Sequence, residues 1–132
     1  MSEANLPLLD APALRDLARR QAGPGCPDCA AIRAPGWEAL PGAFDATRLR
    51  PVATLRRPGD EDPTLEEFHP DGTRSWSPEA PIAPDYFPYN RCDVWQCPAC
   101  RRAYVRYTEY GGYYEDERVR EVDPARVVNA DG

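Results

Sequence analysis

The sequence predicts an α+β fold, with one N-terminal helix followed by a mainly antiparallel sheet of short strands, and three observations carry that prediction. One stretch near the N-terminus repeats its apolar residues at helical spacing, the last third alternates at strand spacing between turn residues, and two Cys-Pro-x-Cys elements offer four thiols to one metal. At 132 residues the chain has the length of a single domain, so residues 1–132 are read as one zinc-binding unit. Its 16 prolines and 9 glycines exclude long helices over most of that length.

Residues 1–9 lack periodicity and read as an arm. Asp10 can cap a helix over residues 11–22: Pro12 suits its first turn, Leu14, Leu17 and Ala18 share one face, and Gly23 stops it. In the Pro/Gly-punctuated stretch that follows, Trp37, Leu40 and Phe44 are the expected anchors. Residues 50–77 are expected to hold short strands. Pro51 to Arg57 carries Val52 and Leu55, and Thr64–Phe68 and Thr73–Ser77 flank Pro70-Asp71-Gly72, a turn in which Pro presets φ and Gly accepts a positive φ. Four prolines in residues 78–90 predict an extended surface loop that delivers Tyr86, Phe87 and Tyr89 to a packed face.

Residues 92–122 read as a knuckle and hairpin. Asp93–Gln96 and Arg102–Tyr110 flank the second thiol pair, and Gly111-Gly112 is a two-residue hairpin signal before Tyr113–Val122. With Tyr110 opposite Tyr113, Arg106 falls opposite Glu117, Tyr104 opposite Val119 and Arg102 opposite Glu121, which aligns two ion pairs and two packing contacts. A slip of one residue would send these side chains to opposite faces. Asp123–Asn129 is expected to add a final turn.

Cys26, Cys29, Cys97 and Cys100 are the expected ligands of one structural Zn²⁺. Each Cys-x-x-Cys turn aims two sulfurs at a point about 2.3 Å from both, and four thiolates complete a tetrahedral shell with no position left for water. The strand context of Cys97 and Cys100 resembles the knuckle of zinc-ribbon and rubredoxin-like proteins, in which two such turns share a metal. Ribbon knuckles often carry Gly after the second Cys, where Ala30 and Arg101 stand here, and 67 residues separate the two pairs. The metal would therefore close a long loop. Unmetallated reduced thiols are the plain alternative.

Cys92 reads as a buried spare thiol, because Cys92-x₄-Cys97 is a poor chelate, and His69, the single histidine, reads as a surface residue beside Pro70. A dithiol redox centre would need the first Cys of a pair at a helix N-terminus, whereas the residues after Cys100 read as strand. No Gly-x-Ser-x-Gly, His-Glu-x-x-His or phosphate-cradling glycine loop occurs, so the expected protein is not an enzyme.

The net charge of −6 argues against a non-specific nucleic-acid coat. All 16 basic residues are arginine, which reads as a GC-rich, bacterial-type composition. Residues 58–90 hold one arginine against eight acidic residues. Asp60, Glu61, Asp62, Glu66 and Glu67 are therefore a candidate face for a basic partner, and Arg102, Tyr104, Arg106 and Tyr107 a second candidate surface on the hairpin. No run spans a bilayer and no basic leader precedes an apolar stretch, so a cytoplasmic, non-membrane protein is expected. The expected function is protein binding, with toxin neutralisation of the immunity type as one form of it; a nucleic-acid-associated ribbon and a thiol redox protein are the alternatives.

Overall fold

A computed structural model describes residues 6–20, 34–39, 49–59, 63–74, 76–110 and 115–129. Helix α1 spans Ala11–Ala18 and five strands follow: β1 Glu38–Ala39, β2 Arg50–Thr54, β3 Asp93–Gln96, β4 Ala103–Tyr110 and β5 Glu115–Glu121. This is the α+β architecture that the sequence predicts. Among the described residues no helix is long and apolar enough to cross a membrane.

The Asp10 carboxylate accepts from the Ala13 N–H at 2.9 Å, Pro12 lies in the first turn, and Ala11, Leu14 and Ala18 face the core. The helix ends four residues before the expected boundary. Arg20 N–H closes onto Leu17 O at 3.1 Å, a tightened i→i−3 turn that terminates the α-helical ladder. Arg15 Nη2 donates to Val127 O at 2.8 Å and ties the helix to the C-terminal 3₁₀ turn Pro124–Arg126. Ahead of the helix, the arm pairs with the outer edge of β2: Thr54 N–H donates to Pro7 O and Leu9 N–H to Thr54 O.

The strands form one antiparallel sheet in the order β1-β5-β4-β3-β2. Strands β2 to β5 are a meander, and β1, which precedes them in the chain, closes the far edge against β5. It is an element that the sequence does not announce. Its two residues pair through Glu38 with Val119 and through Ala39 with Arg118, behind the buried Trp37. Leu40 and Phe44 lie outside the described residues.

The β4–β5 register differs from the expected one by two residues. Tyr104 lies opposite Glu121, Arg106 opposite Val119 and Tyr110 opposite Glu115, which places residues 111–114 between the paired ends. Because the shift is even, every side chain keeps its face. Both expected ion pairs therefore form, but along the diagonal: Arg102 to Glu121 at 3.0 Å and Arg106 to Glu117 at 3.4 Å.

Two further expectations are corrected. The described parts of residues 63–77 contain no strand: Phe87 N–H donates to Glu66 O, Asn90 Nδ2 to Thr64 O and Arg91 Nη2 to Pro63 O, so residues 63–66 bond to the 87–91 loop and not across a hairpin. Leu65 is 69% exposed, and an apolar stripe that could hold a hairpin in register is missing. The turn does form, with Gly72 at φ +77 and its N–H on His69 O. Residues 78–90, expected to run extended over the surface, instead fold into successive turns ending in a 3₁₀ turn, Tyr89–Arg91. Ala80, Ile82, Ala83 and Tyr89 are buried there, and Ile82 bridges Val127.

One arginine organises this region. Arg120 of β5 is wholly buried, and its guanidinium donates to Pro35 O (3.1 Å), Pro78 O (3.1 Å), Ala80 O (2.8 Å) and the Tyr89 hydroxyl (2.6 Å). It thereby joins three loops to the sheet. Burial pushes the Tyr89 phenol up, partly offset by the Arg120 charge and hydrogen bond. Beside it, Gly36 passes so close to Trp76 that a Cβ would lie 2.1 Å from the Trp76 carbonyl oxygen.

Candidate metal centre and adjoining groove

Between β3 and β4 the chain reverses through Cys97-Pro98-Ala99-Cys100-Arg101-Arg102. Cys97 N–H donates to Arg102 O at 3.0 Å and Arg101 N–H to Cys97 O at 2.7 Å, which closes the turn on itself. Arg101 has φ +67. Arg101 thus holds the left-handed conformation that Gly adopts more readily, fixed by the two backbone bonds and by Gln96 Nε2 donating to Arg101 O. Cys97 is fully buried and Cys100 is 4% exposed, so both sulfurs lie inside the fold.

The surroundings tie this turn to Ala34. Arg102 hydrogen-bonds Cys100 and its guanidinium also bridges to Glu121. Burial pulls the Arg102 pKa down, but the charge and hydrogen bond of Glu121 outweigh it and leave the pKa raised. Glu121 then takes hold of Ala34, its Oε2 accepting from Ala34 N–H at 3.2 Å and its own N–H donating to Ala34 O at 2.8 Å. Ala34, Leu49, Cys97, Cys100, Tyr104 and Val119 form one buried cluster with Trp95 against it.

Cys26 and Cys29 lie outside the described residues, as do Asp60, Glu61 and Asp62. Among the described residues no group of three or more metal-ligating side chains occurs. Two thiols of the expected four are described, and they are paired on one turn.

Cys92 is fully buried in the other core cluster, its Sγ donating to Pro88 O at 3.2 Å. Burial pushes its pKa well up, Asp93 adds to the rise and Arg56 opposes it. His69 is half-buried between Thr73 Oγ1 (2.7 Å) and Glu67 Oε1 (2.8 Å), within its own turn.

The hairpin surface inferred from sequence is not continuous. Tyr104 is fully buried beside the thiols, which removes it from any contact surface. Arg102 is engaged with Glu121, and Tyr107 lies on the opposite face of β4, edge-on to Trp37 at 5.0 Å. Glu66 and Glu67 are exposed as expected.

The sequence reading missed a groove of about 1060 Å³ on the Arg106 side of the sheet, floored by Trp95 and Arg106 and walled by Phe87, Arg91, Arg56 and Leu65. Arg106 stacks on Trp95 with its Cζ 4.2 Å from the ring centroid. Three ion pairs line the groove, Arg56–Asp93 at 2.9 Å, Arg57–Asp85, and Arg106–Glu117. Only the last is foreshadowed by the hairpin pattern, since the groove is assembled from segments far apart in sequence. No family model, curated protein or solved structure matches the chain.

Proposed function

We propose that the chain is a non-catalytic binding module of the cytoplasm, closed by one structural Zn²⁺ on Cys26, Cys29, Cys97 and Cys100. The observation that carries this reading is the Cys97–Cys100 turn, whose buried sulfurs share a cluster with Ala34, the described residue nearest in sequence to Cys29. A four-thiolate shell is closed and supplies no open position for activating water, so the metal's contribution is to folding. Arg102 at Cys100 offsets part of the negative charge that such a shell carries and fixes its outer contacts through Glu121.

Two independent features support a protein partner of basic character. The acidic excess is confined to residues 58–90, and Glu66 and Glu67 stand exposed within it. Masking of a basic toxin is one role that such a face suits. Metal analysis of the purified protein is the test: one zinc per chain is expected, falling to none or to a fraction in Cys97→Ser. Folded wild-type protein without metal refutes the reading. For the partner, a Glu66→Lys/Glu67→Lys double variant is expected to lose a basic protein that wild type retains from its native cell extract; equal retention refutes the acidic face.

A further inference from the structure

The groove is built around arginines whose hydrogen-bonding capacity the protein does not fill. Arg106 is nine-tenths buried, yet its Nε and Nη1 have no acceptor; Arg91 Nε is likewise buried without one, and Asn90 Oδ1 has no donor. All four atoms belong to residues lining the same groove. Buried donors and acceptors are nearly always satisfied in native proteins, since an orphan costs about 1–3 kcal/mol and more when charged. Four such atoms at one groove mark it as a place where a hydrogen-bonding group from outside the chain, water or ligand, completes the site.

The charges say which kind. Of the four arginines lining the groove, Arg56, Arg57 and Arg106 each face a carboxylate, whereas Arg91 has only the Pro63 carbonyl at 3.1 Å and the Phe87 ring at 5.5 Å. Among the described residues the groove therefore keeps one cation with no carboxylate facing it, on a chain of net charge −6. Phe87 and the exposed Leu65 give its mixed lining an apolar part. Guanidinium groups with open N–H donors are matched by planar or tetrahedral oxyanions.

We propose that this groove binds a small organic oxyanion, a carboxylate or a phosphate monoester, whose oxygens accept from Arg91 and Arg106 while its apolar part lies against Phe87 and Leu65. Asn90 Oδ1 then accepts from a hydroxyl or amine of the same molecule. The site includes none of the thiols.

The test is a titration of wild-type protein, followed through the Nε–H NMR signals of its arginines, with phenyl phosphate in one series and benzoate in the other. Saturable shifts confined to Arg91, Arg106 and their groove neighbours are expected with at least one probe, and the tighter probe identifies the oxyanion. Exposed Arg19 and Arg74 should stay still. No saturation with either probe, or equal shifts at every arginine, overturns the proposal. Arg91→Gln is expected to weaken the better probe about tenfold or more, and Arg74→Gln to leave it unchanged. Unaltered affinity in a folded Arg91→Gln protein also overturns it.

Discussion

The two faces of the sheet are held by different physics. On one, Val94, Ala103, Val105 and Val122 join α1, Ile82, Leu55 and Val127 in a cluster of fourteen buried residues among those described. On the other, Tyr104 and Val119 meet Ala34, Leu49 and two thiols, six buried residues in all, with Trp95 at the margin. Apolar burial stabilises by about 25 cal/mol per Å². Among the described residues the first face is the larger apolar cluster, and two of the six members of the second are cysteines. The contrast extends to the arginines: Arg120 on the first face has four oxygen acceptors, whereas Arg106 on the second has two nitrogens with none. Among the described residues the first face thus satisfies its buried arginine internally, whereas the second carries the two thiols and the arginine on which the two proposals rest.

The largest effect that can break this contrast is removal of the proposed metal. Cys97→Ser, or chelation of wild type, is expected to lower stability by on the order of 5 kcal/mol or more, because metal binding and folding are one equilibrium in small thiolate-closed sites. Loss should be uneven. Hydrogen exchange at the Glu121 amide, which bonds Ala34, should rise first, while the Val94 and Val105 amides stay protected longer. Uniform loss of protection, or none, would mean that the two faces are not independently supported.

On the first face the corresponding lesion is Arg120→Met. It removes the donor from three carbonyls and a phenol in the interior, and about 3–5 kcal/mol of destabilisation is expected from denaturant unfolding. Tyr89→Phe should cost about 1–3 kcal/mol, since only one guanidinium N–H loses its acceptor. Should Arg120→Met be neutral, the three loops are held by packing and the guanidinium is incidental. A smaller loss, about 1–3 kcal/mol, is expected for Gly36→Ala, whose methyl group would collide with the Trp76 carbonyl unless the two loops separate.

The division between the faces also sets what could be read from sequence. The helix, β3, β4 and β5 were legible because local signals specify them: the Asp10 cap, helical spacing of Leu14 and Ala18, and alternation around Cys97 and Cys100. The β4–β5 register was read correctly in face but not in offset, because Gly111-Gly112 suggested a two-residue loop while the diagonal ion pairs tolerate either alignment. Pro70-Asp71-Gly72 specified its turn and nothing about the flanks, of which residues 63–66 bond to residues 87–91. Burial of Arg120 and the 78–90 turns is non-local in origin. It depends on carbonyls at residues 35, 78 and 80 converging on one strand, and no pattern within any one segment encodes that. Of the proposed metal site, Cys97 and Cys100 proved to be a buried pair on one turn, whereas the groove, assembled from five segments, had no sequence signature beyond Arg106 and Glu117.

The smallest predicted effect belongs to the spare thiol. Cys92 lies on the first face, and burial first, then Asp93, holds its pKa well above the usual thiol range. As pH rises through that range the unfolded chain releases this proton while the folded chain keeps it. The folded state then binds more protons than the unfolded one, and stability falls with increasing pH. Tyr89, raised by burial despite Arg120, adds a second fall at higher pH by the same sign. Thermal unfolding from pH 7 to about 10.5 should therefore show a declining midpoint in wild type, and a shallower onset of that decline in Cys92→Ala. An identical slope in the variant would show that Cys92 does not carry the alkaline loss and would leave Tyr89 as its source on this face.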